Sequence, residues 1–430
     1  MFKEPDTLLV GLGVGTTKIS VIMAERDPRS REAVQIIGIG SAPSQGIRKG
    51  LIVNLEQAVR SVREALRSAE NIVGFELSEA MVSFSAVDVA SVMTSGMVSI
   101  GRPPRPIRVD DVNRVIEAAQ SELSIPEDKV PLHTIPVRYS IDGNFGIEDP
   151  LGMTGMRLEM ELQTITVPMT QVHNMVNCVK TAGIATGGIV IKPLSASLGA
   201  LTDDEARAGA ISLSIGGGTT GLAFYREGRP IKIGVVPIGG DHITNDLAHV
   251  LGLNLRRAEE LKKRIFIPGD DDFSVYETKK EDGKVIDPNV ALEVISCRLE
   301  ELFSEYVLPM IPDHEPKQFP GGIVLSGGVA KTPGIDALLS NIFKMPVRVA
   351  EPTEYCQMPP GRGDTSYVNA VGTIRYILTK ERNPYKFIDS PLLQVGGTRP
   401  IPKPSTPRTS IMTRVRRIAE KVKDSITDLF

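Results

Sequence analysis

Residues 211–240 read ISLSIGGGTTGLAFYREGRPIKIGVVPIGG. An apolar strand runs into three glycines and two threonines, then a second strand leaves the turn and a third follows. The chain opens on the same arrangement, TLLVGLGVGTTKISVIMA at 7–24, with a third strand expected at VQIIGIG, 34–40. Two matched hairpins about two hundred residues apart predict an internally duplicated α/β architecture.

Gly11, Gly13 and Gly15 invite comparison with a dinucleotide-binding loop, but their spacing is G-x-G-x-G and a strand, not a helix, follows. No GxxxxGK[ST] loop occurs. A hairpin turn can still hold phosphate, because glycine lets successive backbone N–H groups converge as an anion nest. Thr16, Thr17, Thr219 and Thr220 offer hydroxyls beside these turns, and Lys18 offers charge.

Working outward, SAPSQGIRKGLIVN at 41–54 is a turn-rich connector, and Leu55, Val59, Val62 and Leu66 mark one face of a helix over 55–70. Between 81 and 167 the strand-like runs MVSFSAV, SVMTSGMVSI, PVRYSI and LEMELQTITV surround a helix over 110–122, which predicts a small inserted α+β module. Helices are expected over 169–182, 241–252, 255–265 and 289–308, a buried strand at GIVLSGG and a helix from Pro333. After Lys380 the chain becomes rich in Pro, Ser and Thr, and an extended tether is expected there.

Composition excludes several classes. A net charge of −3, 5% aromatic residues and no Trp argue against nucleic acid as a partner. Cys178, Cys297 and Cys356 form neither a metal nor a disulfide pattern, so reduced thiols are expected. The five histidines lack ligand spacing, and no catalytic or metal-ligating set emerges. The N-terminus is not a signal peptide and no window reaches 18 uninterrupted apolar residues, so membrane contact should be peripheral.

The combination of IGGGTTG, PIGGDHITNDLA, GIVLSGGVAKTPGI, SAPSQGIRKGLIVN, DPLGMTGMRLE and PLSASLGALTDDE resembles the bacterial cell-division FtsA family, of the actin and Hsp70 ATPase superfamily. The resemblance implies an actin-like, two-lobed fold. Lobe 1 would comprise 1–81, 167–200 and 367–382, with an interaction subdomain inserted at 82–166. Lobe 2 would have its core at 201–240 and 311–366 and an outer, partner-docking part at 241–310. It also implies ATP or ADP in the cleft, with Gly15, Thr16, Thr17 and Lys18 on the phosphates from one side and Gly216, Gly217, Gly218, Thr219 and Thr220 from the other. Gly239 and Gly240 would line the cleft, Glu259 and Lys262 would meet ribose and purine, and Gly327 and Gly328 would pack under the adenosine. The sequence departs from the family where acids usually stand: Gly13, Ser214 and Gly221 occupy those positions. Mg²⁺ would then bind without a carboxylate from either hairpin, and hydrolysis should be slow or absent. The resemblance therefore implies a scaffold rather than an enzyme. It would self-assemble, hold the C-terminal tail of FtsZ and meet other division proteins at the cytoplasmic face of the membrane. A pilus-assembly adaptor and an actin-fold ATPase or kinase are the alternatives.

The last segment, after a linker over 383–410, is SIMTRVRRIAEKVKDSITDLF. Ile411, Val415, Ile418, Val422, Ile426 and Leu429 fall on one helical stripe flanked by Met412 and Phe430. Arg414, Arg416, Arg417, Lys421 and Lys423 outnumber Glu420, Asp424 and Asp428 on the opposite face, which suits an anionic membrane surface. Arginines in the first turns and aspartates in the last oppose the helix dipole, so a helix over 411–430 needs an outside surface to stabilise it.

Overall fold

The computed structural model describes residues 8–26, 34–268, 279–281, 284–312, 316–352, 356–359, 363–383 and 385–389. The body, Met1–Val395, and the terminal segment Gly396–Phe430 are separate units, and the second lies wholly outside the described residues. The expected amphipathic helix over 411–430 therefore lies outside them, as does most of the linker.

Helices in chain order are α1 (Leu55–Val73), α2 (Val109–Ser121), α3 (Met169–Ala182), α4 (Lys192–Ala200), α5 (Asp203–Ala208), α6 (Gly240–Val250), α7 (Leu255–Lys262), α8 (Pro288–Glu301), α9 (Ile335–Phe343) and α10 (Val368–Arg382). They follow from local signals. In α1, Val59, Val62 and Leu66 are buried at helical spacing, the Asn54 side chain accepts from Gln57 N at 3.0 Å, and Gly74 closes the helix at φ 77°. The expected helix over 289–308 is present but changes winding, with a π-type turn over Leu302–Val307 after α8.

Two sheets carry the duplication. In the first, the order is Ala185–Ile191, Glu79–Phe84, Leu8–Val14, Lys18–Arg26, Val34–Pro43 and Cys356–Gln357. In the second it is Arg229–Val236, Thr220–Arg226, Ile211–Ile215, Ile323–Ser326 and Val347–Val349. Each sheet is an antiparallel three-strand meander whose first strand also pairs in parallel with a strand that arrives later by a crossover. Leu12, Ile22, Leu213 and Leu222 have no exposed surface, and burying each such side chain contributes roughly 1.5–3 kcal/mol.

Residues 82–84 were expected in the insert, but the strand Glu79–Phe84 pairs with Leu8–Val14 and belongs to the first sheet. Its run of five buried residues suits a strand covered on both faces. The insert has its own sheet, ordered Asn144–Ile147, Lys129–Ile141, Arg157–Pro168 and Ala90–Ser99, with α2 packed on it. The linker also begins later than expected. Ile388–Asp389 pairs with Lys129–Ile141, and buried Phe387 stacks on Tyr376 with ring centroids 5.0 Å apart.

Helices α4 and α10 join the halves: α4 lies against the second sheet, α10 against the first, and the two pack on each other. Their backbones touch. A Cβ at Gly372 would stand 1.6 Å from Ser195 O, and one at Gly199 would stand 2.0 Å from Val368 O, so only glycine permits this crossing. The first residue of α4, Lys192, is thereby fixed beneath the two hairpins.

Candidate functional site

The two glycine turns meet. A Cβ at Gly217 would lie 1.8 Å from Thr17 Oγ1, and one at Gly218 would lie 2.7 Å from Thr16 Oγ1. Behind the second turn stands the N-terminus of α6, where Gly240 N donates to Gly216 O at 2.9 Å and Asp241 N to Gly217 O at 2.8 Å. A Cβ at Gly239 would come within 2.5 Å of Gly216 O, so Gly239 and Gly240 buttress the turn itself. Gly327, at φ 96°, packs against Ile215 O, whereas Gly328 faces open space with nothing within 4 Å of its Cβ position.

Two ammonium groups converge on the turns. Lys192 Nζ lies 3.9 Å from the Cβ position of Gly15 and 3.5 Å from that of Gly216. Burial and the neighbouring charge of Lys18 both push its pKa down. Lys18 places its Nζ 4.2 Å from the centroid of the Tyr367 ring. The threonines divide. Thr219 Oγ1 donates to Ser85 Oγ at 3.2 Å and Thr220 Oγ1 to Ile238 O at 2.8 Å, both inside the protein. Thr16 Oγ1 accepts from Gly50 N at 3.3 Å, which leaves its own proton free to donate.

Glu259 and Lys262 form a built cluster next to the second turn. Lys262 Nζ donates to Gly240 O at 3.0 Å, to Thr244 Oγ1 at 2.8 Å and to the Glu259 carboxylate, which uses all three of its protons. Burial raises the Glu259 carboxyl, but the bonds from Lys262 and Thr244 prevail and hold it below its ordinary value. Asp241 sits beside this cluster, its carboxylate oxygens 3.0 and 3.1 Å from the Cβ position of Gly217. Burial raises its pKa, with Lys262 opposing and Glu259 adding to the rise. His242 Nδ1 accepts from Gly239 N at 3.2 Å.

The positions expected to lack acids are closed by neutral groups. A Cβ at Gly13 would meet Ser20 Oγ at 2.9 Å and Asn369 Nδ2 at 3.4 Å. One at Gly221 would meet Pro193 Cγ at 2.9 Å, and Ser214 is buried. Turn amides, two ammoniums and the open floor at Gly328 suit a polyphosphate with a flat group beyond it. A divalent cation fits less well. Two ammoniums stand at the turns, and the carboxylate set against them, Asp241 at Gly217, also feels Lys262 and Glu259 and is pushed up by burial. No group of three or more His, Cys, Asp or Glu among the described residues could hold a metal.

Sequence reading brought the two turns together but overlooked Lys192, Tyr367, Asn369 and Asp241. One signal was present for Lys192: a lysine at the first position of a helix opposes the helix dipole and needs a reason.

Comparison with known proteins gives two family matches: "SHS2 domain inserted in FTSA" over residues 87–166, and "Cell division protein FtsA" over residues 211–372. The FtsA of Bacillus subtilis is 34% identical over 383 residues, covering 88% of this chain and 85% of that one. The FtsA of Pseudomonas aeruginosa is 30% identical over 420 residues, covering 96% and 98%. Among solved structures, the PilM–PilN type IV pilus biogenesis complex aligns with a TM-score of 0.61 at 17% identity, over 86% of this chain and 99% of that one. MreB5 of Spiroplasma citri bound to ADP aligns with a TM-score of 0.53 at 14% identity, over 88% and 100%. At such identities these structures establish an actin-like fold alone.

Proposed function

The chain belongs to the FtsA family of cell-division proteins, and on that premise we propose that it is a nucleotide-binding scaffold which holds FtsZ against the membrane. The observation that carries the nucleotide reading is the junction of the two glycine turns over Lys18 and Lys192, with the open floor at Gly328 beyond. ATP or ADP would place its phosphates between the turns and its base above Gly328, near Glu259. Lys262 then acts through Glu259 and Gly240, since its own protons are committed.

Hydrolysis in this reading is slow. The turns themselves carry no carboxylate, Gly13 and Gly221 leave no space for one, and the acid that stands against Gly217, Asp241, comes from α6 and shares its field with Lys262. Partner binding is therefore the output. The outer region of α6, α7 and α8 shares its apolar core with the second sheet and would present the FtsZ tail site. The segment over 411–430 would dock on anionic lipid at the cytoplasmic face, weakly for one copy and firmly for copies repeated along a polymer. The likeness to the pilus complex shows fold alone and favours no second reading. Release of γ-phosphate by the purified full chain tests the catalytic part. The expected result is turnover close to background, whereas robust turnover would overturn it.

A further inference from the structure

Among the described residues, Lys192 carries a charge that the fold alone does not explain. It opens a nine-residue helix, where the backbone dipole is already positive, and its Nζ reaches between the Cβ positions of Gly15 and Gly216 at 3.9 and 3.5 Å. The charge that bears on it is another cation, Lys18, and among the described residues no carboxylate pairs with it. Holding a half-buried ammonium beside a helix N-terminus and a second ammonium is costly unless an anion completes the site. The surrounding polar groups offer no relief. Thr219 and Thr220 are bonded elsewhere, and the Asp241 carboxylate, which stands against the neighbouring Gly217, is not among the charges that shift Lys192. Pro193 closes the space beside Gly221 that an acid would need.

We propose that Lys192 is the resident counter-cation of a bound triphosphate, taking over charge neutralisation from a divalent metal, so that this chain binds nucleotide without magnesium. The inference rests on the nucleotide reading of the cleft and adds what that reading leaves open: which group carries the positive charge. A fixed ammonium suits binding better than hydrolysis. It neutralises the phosphates, but it offers no coordinated water and no exchangeable coordination position. Lys192 would thus bias the site towards a retained nucleotide.

The test is calorimetric titration of the full chain with ATP, in magnesium and in EDTA, for the wild type, Lys192→Met and Lys192→Arg. Wild-type affinity should differ less than about threefold between the two conditions. Lys192→Met should bind about tenfold to a hundredfold more weakly in EDTA, the scale of one charge-assisted hydrogen bond, and regain part of that loss in magnesium. Lys192→Arg, which keeps the charge, should stay closer to wild type in EDTA. Thermal unfolding without nucleotide checks that each variant folds. Lys192→Met should melt no lower than wild type, because it removes a half-buried charge set beside a second cation, at similar volume. If the wild type binds ATP only with magnesium, or if Lys192→Met matches it in EDTA, the proposal is wrong while the nucleotide reading stands. If the wild type binds no ATP in either buffer, both fall.

Discussion

Replacing Gly372 by alanine should be among the most damaging single methyl additions in the body. The added Cβ would sit 1.6 Å from Ser195 O, 2.7 Å from Ser195 C and 2.7 Å from Gly199 N. All three are backbone atoms of α4, so no rotamer change relieves the contact. Ordinary van der Waals contact begins near 3.4 Å, which leaves a shortfall of 3.4 − 1.6 = 1.8 Å for the helices to absorb by moving apart. A gap of about 0.5–1 Å already forfeits a quarter to a half of each dispersion well. Overpacking costs about 1–3 kcal/mol where side chains can shift, and more where they cannot. A cost of about 3–5 kcal/mol follows for this backbone contact. With an unfolding entropy of about 2.1 cal/mol/K per residue, the 395-residue body has about 0.8 kcal/mol/K, so the melting temperature should fall by roughly 4–6 °C. Differential scanning calorimetry of Gly372→Ala against wild type measures this. A fall under about 1 °C would refute the claim that α4 and α10 touch backbone to backbone.

Gly328→Ala should behave oppositely: nothing lies within 4 Å of its Cβ position and its φ is −66°, so stability should stay within about 0.5 kcal/mol. Nucleotide affinity should fall in the same variant, by about tenfold in a fluorescent-nucleotide titration, because the methyl fills the floor of the cleft. Asp111 predicts an acid-labile insert. Two bonds from Arg105, at 2.7 and 2.8 Å, hold the buried Asp111 carboxyl well below its ordinary range, with burial opposing them. A depressed carboxyl stabilises fully above its unfolded value of 3.8 and loses that contribution as pH falls through the folded value. Melting curves between about pH 5 and about pH 2 should therefore fall more steeply for wild type than for Asp111→Asn. Parallel curves would show that the pair contributes nothing.

Local patterns exposed much of the fold. Both glycine turns, the α3 bounds and three of the insert's four sheet strands, at 90–99, 129–141 and 157–168, read from period and turn chemistry, because each is fixed by its own residues. What escaped were features decided by distant partners. The run at 79–84 looks like any strand, and only its parallel partners at 8–14 and 185–191 assign it to the first sheet. Tyr385, Phe387 and Ile388 have no period to read, yet they pack against the insert and Tyr376 after the chain has passed the last helix. Likewise Lys192 and Asp241 are ordinary residues in sequence, carried to the turns by the starts of α4 and α6. Position, not residue type, makes them part of the site.

Joint sedimentation with anionic vesicles tests the scaffold reading most directly. Purified FtsZ is spun with such vesicles in the presence of ATP and either the full chain or a chain lacking 411–430. FtsZ should pellet with the vesicles only when the full chain is present, and the truncated chain should stay in the supernatant with it. FtsZ left in solution by the full chain, or carried down equally by the truncated one, would contradict the account.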